Sequence, residues 1–314
     1  MDRIEIIDSS IIENNEKLSF IDHWKRVLGI EIGWHYDLDI IWILRQIEEL
    51  GIEKGSTILD AGAGNGLLQF MLASLGFNVL SVDFADRDVP AAASRIFKIE
   101  VHDNGASVTN NPYRYFIKHR QDRPSDILNK MLNGLRSPGR TADALSRIIR
   151  RRVDPAVIGA ALSGARKGYG NIKYIKSDFT DMKEFETGSV DCIVSVSAIE
   201  HNGHEDLKKS VGEFMRILKK GSAMIITTSA AKDRDWYFKS CEGWCFSYDT
   251  LRELFSMKES FTNFDRYDEL FEKIKRSETI RKRVSKLYAT NGDNGLPWGI
   301  YDPKYQPAGI LKIV

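Results

Sequence analysis

The sequence predicts an α/β protein: a doubly wound, mostly parallel sheet with a helical or mixed insertion between its second and third strands. Three observations carry this. Short apolar runs ending in polar or acidic residues recur along the chain, separated by amphipathic helical stretches, the order that gives a parallel sheet covered on both faces. The run "ILDAGAGNGLLQF" (58–70) reads as a strand, a tight turn and a helix start, because glycine lets the backbone turn sharply and lets another molecule approach closely. About 87 residues then run from Phe84 to Gly170, where a βαβ crossover needs only about 10 to 12.

Taken in order, "HYDLDIIWILRQIEELGI" (35–52) places Leu38, Ile41, Leu44, Ile47 and Leu50 at three-residue steps, an amphipathic helix stopped by Gly51. "STILD" is strand one, "GLLQFMLASLG" a helix ending at Gly76, and "NVLSVDF" strand two. "NIKYIKSDF" is strand three, "SVDCIVSVS" strand four, "DLKKSVGEFMRILKKG" a helix and "SAMIITTSA" strand five. "DPAVIGAALSGARKGYG" (154–170), with proline at its start and glycine at its finish, suits the crossover helix into strand three. That places the insertion at about 85–152. Within it, "RIFKIEVHDNGASVT" reads as a hairpin turned at Asn104-Gly105, and "SDILNKMLNGL" and "TADALSRIIRRR" as helices capped by Ser125 and Thr141. After strand five come a helix at "YDTLRELFSM", a charged amphipathic helix at "YDELFEKIKRSETIRKRVSKLY" and a final strand at "AGILKIV".

Composition sets the outer limits. The 314 residues are 42% hydrophobic and 28% charged, which suits a soluble globular chain with a substantial core. No apolar run approaches the ~20 residues that span a bilayer, and the acidic, broken start does not read as a secretory signal, so the expected address is cytoplasmic. Cys192, Cys241 and Cys245 are odd in number and lack paired spacing, which argues against a disulfide framework and a zinc ribbon. The net charge of +1 is uneven: from Asp86 to Lys167 bases outnumber acids about two to one, peaking in "RIIRRR". That segment suits an anionic partner. A solvated basic face is the competing reading, and nucleic acid is disfavoured without being excluded, because no stacking aromatics interleave the arginines.

The glycine stretch narrows to two nucleotide cofactors. A dinucleotide site uses G-x-G-x-x-G, with the pyrophosphate on a helix N-terminus. Here the glycines are Gly62, Gly64 and Gly66, and Leu67 occupies the third dinucleotide position. Asp60, just before the loop, would repel a pyrophosphate and attract a cationic amino group. In an open α/β sheet the ligand lies outside the carboxyl ends of the strands, where Asp60, Asp83, Asp178 and Ser197 all fall.

With these residues the chain resembles the class I S-adenosylmethionine-dependent methyltransferases, over strands one to five. The resemblance implies a Rossmann-like sheet of seven strands, the last two forming a reversed edge hairpin with the seventh between strands five and six. It implies S-adenosylmethionine as cofactor, with Asp60, Gly62, Ala63, Gly64 and Gly66 around its methionine part, and Asp83, followed by Phe84, on the ribose hydroxyls. Asp178 and Phe179 would grip the adenine, and Ser197 would line the same site. "SVDCIVSVSAIEH" and "FMRILKKGSAMIITT" are similar to the family's strand-four segment with its Glu-His ending and its approach to strand five, Ser222 replacing a glycine. Glu200 and His201 are then the candidate catalytic residues, His201 as a general base within reach of neutral pH. Some quinone-ring O-methyltransferases of the family carry a metal-holding glutamate where this chain has Ser197, so no metal is expected. Ser195-Val196-Ser197-Ala198 departs from the Asn/Asp-Pro-Pro-Tyr/Phe motif common among the family's N-methyltransferases, which disfavours methylation of DNA bases.

The implied organisation is an N-terminal helical segment, 1–50, covering the cofactor site, and a methyltransferase domain, 51–314. Trp34, His35 and Tyr36, and Trp236, Tyr237, Trp244, Phe246 and Tyr248, are candidate walls of an acceptor pocket. The favoured reaction is O-methylation of a small molecule, such as a sugar, a glycan end or another hydroxylated or phosphorylated metabolite, by in-line displacement. Two alternatives stay open: an RNA or protein methyltransferase using the basic insertion, and a non-catalytic protein that binds S-adenosylmethionine. Oligomeric state has no signal in the sequence.

Overall fold

The computed structural model describes residues 1–13, 16–102, 107–109, 168–289, 295–296 and 299–314. Its first elements are β1 (Arg3–Ile6), α1 (Glu16–Leu28), α2 (Tyr36–Glu49), β2 (Thr57–Ala61), α3 (Leu68–Ser74) and β3 (Asn78–Asp83). Then come β4 (Asp88–Pro90), α4 (Ala91–Ile96), β5 (Ile99–His102), β6 (Ser107–Thr109), β7 (Ile172–Lys176) and β8 (Val190–Val196). α5 (His204–Ile217) leads straight into β9 (Leu218–Ala230). The chain continues through β10 (Trp236–Phe238), β11 (Gly243–Cys245), α6 (Tyr248–Leu254), β12 (Phe261–Thr262), α7 (Tyr267–Arg276), α8 (Glu278–Arg283) and β13 (Gln306–Ile313).

The central sheet has the order β12, β1, β13, β9, β8, β2, β3, β7, β5. From β9 to β5 every pair is parallel, and β13 alone runs against both of its neighbours. Strand alternation sorts the core into two layers. Ile58, Val79, Tyr174, Cys192, Val194 and Ile225 face α1 to α4, while Leu59, Val82, Ile193, Met224, Ile226 and Ile310 face α5 and α6. Helix α2 is buried almost all round and lies across β13, where Gly309 leaves the space that the Trp42 indole fills. Each large apolar side chain buried in this way contributes about 1.5 to 3 kcal/mol.

The expected doubly wound, mostly parallel sheet is present, with differences at both edges. Among the described residues the sheet has nine strands where seven are expected, β5 and β12 being the outermost additions. The final strand, β13, lies beside strand five as expected, but its outer partner is β1, antiparallel from Arg3↔Leu311 to Ile6↔Ala308. The place expected for a sixth strand is thus filled from the N-terminus, so the segment read as helical contributes a strand to the main sheet. The hairpin expected at 95–109 is not formed: β5 pairs parallel with β7, and β6 pairs parallel with β4 in a separate two-stranded sheet. β7 offers an open edge of unpaired backbone groups, and β5, mostly exposed, takes it up. The charged helix expected over 267–288 breaks at Ser277, whose hydroxyl accepts from the Ile280 amide and starts α8.

The first part of the expected insertion belongs to the core. Phe97, just after α4, packs against Trp24 of α1 at 5.2 Å and Phe70 of α3 at 5.7 Å between ring centroids. The helices expected at "SDILNKMLNGL" and "TADALSRIIRRR", and that at 154–170 up to its last three residues, fall outside the described residues. No helix among the described residues is long and apolar enough to cross a membrane.

Candidate functional site

The site is built where strands one to four end. β2 runs into Gly62 and Ala63, whose amides both donate to the Val82 carbonyl of β3, which turns the chain across the sheet edge. Gly62 (φ 71°) and Gly64 (φ 48°) hold left-handed backbone. A β-carbon at Gly62 would lie far inside contact distance of the Ala198 β-carbon, so the glycine loop rests directly on the exit of strand four. The Gly66 amide closes the turn on the Ala63 carbonyl at 2.8 Å, and α3 starts two residues later.

Asp83 ends β3 beside this loop. Its Oδ2 accepts from the Gly64 amide and its Oδ1 from the Ala85 amide, both at 2.9 Å. The next residue, Phe84, is 70% exposed. Asp60 is buried and makes no hydrogen bond to the described residues; burial pushes its carboxyl up to about 7, the Arg87 guanidinium pulls against this, and the Asp83 charge adds to it. Asp178 follows β7, where the Ser177 amide donates to the Asp83 carbonyl, so the ends of strands two and three are joined. Asp178 is exposed, its Oδ1 accepting from the Thr180 amide and hydroxyl, and it borders a groove of about 410 Å³ at the β7 edge. The Phe179 side chain turns inward, edge-on to Phe214 and beneath Gly62.

Strand four ends in Ser197, which holds left-handed backbone at φ 47°, a conformation that costs a non-glycine residue about 1 to 2 kcal/mol. Its hydroxyl donates to Glu200 Oε1 at 2.6 Å. Glu200 is buried and also accepts from the Thr228 and Ser229 hydroxyls at 3.2 and 3.5 Å. His201 is exposed, with Nδ1 2.9 Å from the Glu242 carbonyl, and the β10–β11 hairpin approaches it through Gly243. The predicted residues of strands one, two and four thus meet around the glycine loop, while Asp178 sits outward and the Phe179 ring sits in the core.

Among the aromatic candidates, Trp34 and His35 are buried in a polar seam: His35 Nδ1 lies 2.6 Å from Asp39 Oδ2, and the Tyr305 hydroxyl is 3.3 Å from His35 Nε2 and 3.2 Å from Trp34 Nε1. Tyr36 is half-buried; burial and then the nearby Glu200 charge raise its hydroxyl well above the usual range. Trp236 and Trp244 are half-buried on the hairpin, Tyr237 is exposed, Tyr248 is half-buried on α6 and Phe246 is in the core. Arg87 escaped the sequence reading: it is buried, with Nη1 2.5 Å from Ser81 Oγ and Nη2 donating to the Ser81 and Ile175 carbonyls. The serine and tyrosine that surround it, Ser81 and Tyr174, share the Asp60 face of their strands, and this period-two placement was the available signal. Among the described residues, no three His, Cys, Asp or Glu side chains gather as a metal site, and the three cysteines are free thiols.

The arrangement suits a cationic nucleoside. Two buried acids flank a loop with no bulky side chains, and burial favours the neutral form of one of them, Asp60, so a cation bound beside it would favour its ionisation. The family described as "Methyltransferase domain" matches residues 135–226, which covers strands three and four, α5 and the start of strand five. No curated protein matches the chain. Among solved structures, it is similar to a candidate sarcosine dimethylglycine methyltransferase from Galdieria sulphuraria at 17% identity and a TM-score of 0.41, over 87% of this chain and 83% of that one. It is similar to a 1,6-didemethyltoxoflavin-N1-methyltransferase from Burkholderia thailandensis, solved with 1,6-didemethyltoxoflavin and S-adenosylhomocysteine, at 11% identity and 0.37, over 79% and 72%. A TehB-like methyltransferase from Corynebacterium glutamicum is similar at 15% identity and 0.34, over 69% and 71%. The family match covers strands three and four, whose ends carry Asp178 and Ser197, and leaves the glycine loop and Asp83 outside it.

Proposed function

We propose that this chain is a class I S-adenosylmethionine-dependent methyltransferase that acts on a hydroxyl group of a small molecule, with the cofactor held at the glycine loop and the acceptor beside His201. The observation that supports the reading is a short connection: Gly62 of the loop lies against Ala198, and three residues on the exposed His201 lies beside Gly243. The group that accepts a proton is therefore carried by the same short segment that touches the cofactor loop.

In this reading Asp60, Gly62, Ala63, Gly64 and Gly66 hold the amino-acid part of the cofactor, Asp83 takes the ribose hydroxyls and Phe84 covers the nucleoside. Asp178 and the Phe179 backbone bound the adenine end, and Ser197 shapes the wall opposite the loop. Bound there, S-adenosylmethionine supplies an electrophilic methyl carbon for in-line attack by the acceptor oxygen. The proton released from the acceptor passes to the His201 imidazole, whose ring is oriented by the Glu242 carbonyl. Glu200, with its carboxylate taken up by three hydroxyls, holds this segment in place. The N-terminal segment around Tyr36 closes the acceptor side.

The test is methyl-labelled S-adenosylmethionine offered to a panel of sugars, sugar nucleotides, phenols, amines, RNA and protein. Label in hydroxylated small molecules is expected. Label in RNA or protein, lost steeply as salt rises, contradicts the reading and points to a polymer acceptor. Cofactor binding with no transfer to any acceptor contradicts it in favour of a binding protein. With an acceptor in hand, His201→Ala is expected to leave cofactor affinity unchanged and to slow turnover by about 10² to 10⁴-fold; unchanged turnover across pH removes His201 from the chemistry.

A further inference from the structure

The glycine loop is laced residue by residue to the exit of strand two. The Gly64 amide donates to Asp83 Oδ2, and the Asp88 amide donates to Asn65 Oδ1 at 2.8 Å. The Gly66 carbonyl accepts from Gln69 Nε2 at 2.9 Å, Gln69 Oε1 accepts from Ser81 Oγ at 2.7 Å, and Ser81 Oγ accepts in turn from Arg87 Nη1. Arg87 is the far end of this chain. Its Nη2 donates to two further carbonyls on neighbouring strands, Ser81 and Ile175, and its guanidinium lies 4.4 Å from the Tyr174 ring centroid.

A buried guanidinium is costly unless its hydrogen bonds are met and its charge is matched. Here the bonds are met by two carbonyls and a hydroxyl. No carboxylate among the described residues lies within ion-pair distance. The charges that do feel it are those of Asp60 and Asp83, one on each side of the loop. A cation fixed in this place thus does two things: it braces the underside of the loop at Gly66, and it opposes the burial that disfavours the ionised form of Asp60.

We propose that Arg87 is a positioning residue of the cofactor pocket that sets affinity for the amino-acid end of the cofactor, an inference that rests on the cofactor site described above. Arg87 lies behind the pocket and contacts Gly66 only through Gln69 and Ser81. Its loss is felt where the loop and Asp60 meet the ligand, and much less where adenine and ribose are held.

Two ligands separate this from general damage. S-adenosylhomocysteine carries the amino acid, whereas 5′-methylthioadenosine keeps the adenosine and the sulfur without it. Calorimetric titration of Arg87→Met is expected to show affinity for S-adenosylhomocysteine lower by roughly tenfold or more, since bonds to a charged group are lost. Affinity for methylthioadenosine is expected to change by less than about threefold. Arg87→Lys is expected to recover little, because an ammonium does not reproduce the planar fork. Ser81→Ala, which breaks only the joint between Arg87 and Gln69, carries the test where Arg87→Met does not fold, and is expected to shift the two affinities in the same unequal way. Equal weakening of both ligands, or no change in either, overturns the proposal. A wild-type protein that binds neither ligand overturns the cofactor reading as well.

Discussion

Gly62→Ala tests the geometry of the site independently of its chemistry. Two costs add. The left-handed backbone at φ 71° costs an alanine about 1 to 2 kcal/mol. The new β-carbon overlaps Ala198 Cβ and stands 3.7 Å from Phe179 Cε2, so strand four's exit must shift, and overpacking of this kind costs about 1 to 3 kcal/mol. The sum is about 2 to 5 kcal/mol, a large part of a typical domain's stability. Urea unfolding followed by tryptophan fluorescence reads it directly. A cycle with Ala198→Gly separates the two parts, because removing that β-carbon relieves the overlap and leaves the dihedral strain. Coupling of about 1 to 3 kcal/mol between the two substitutions is expected. An alanine at 62 that costs less than about 0.5 kcal/mol, or a cycle with no coupling, refutes the contact between the loop and strand four.

Two further outcomes follow from the same structure. The Asp60 carboxyl, raised to about 7 from an unfolded value of 3.8, binds its proton more tightly in the folded state. Its contribution to stability is therefore present at low pH and is lost as pH rises from about 4 to 7, so Asp60→Asn is expected to remove that decline from the pH profile of unfolding; an identical profile in the variant contradicts the burial of this group. Arg283 on α8 makes paired contacts with Asp22 of α1 and Asp37 of α2, the shortest at 2.7 Å, and its side chain is 18% exposed. Arg283→Met leaves the mostly buried Asp37 without its cation and is expected to cost about 3 kcal/mol in urea unfolding; a loss below about 1 kcal/mol contradicts a structural tie between α8 and the first two helices.

Much of the site was legible because local rules and tertiary context agree there. Strand runs that end in Asp60, Asp83 and Ser197, with glycines at 62, 64 and 66, put chemistry-bearing residues at strand ends by periodicity alone, and parallel order brings those ends together. What escaped depends on partners far away in the chain. "RIEI" at 3–6 is four residues with no turn on either side to mark it, and its ladders with residues 308–311 and 261–262 make it a strand. Asn104-Gly105 signals a local hairpin, yet the open edge of β7 captures 99–102. Arg87 sits in a basic segment; its burial follows from Ser81, Tyr174 and Ile175 converging beneath it, of which the sequence shows only the period-two placement of Ser81 and Tyr174 within their own strands. Asp178-Phe179 was read as a unit, but the turn at Thr180 sends the acid outward and the ring into the core.

The most direct check on the cofactor pocket is calorimetry of S-adenosylhomocysteine with the wild type and with Asp83→Asn, whose side chain keeps the shape and removes the charge. Each hydrogen bond from a ribose hydroxyl to a carboxylate is worth about 1.5 to 3 kcal/mol, so the wild type should bind and the variant should bind at least about tenfold more weakly. Equal affinity in the two proteins, or tight binding of a nicotinamide dinucleotide in place of S-adenosylhomocysteine, would contradict the account.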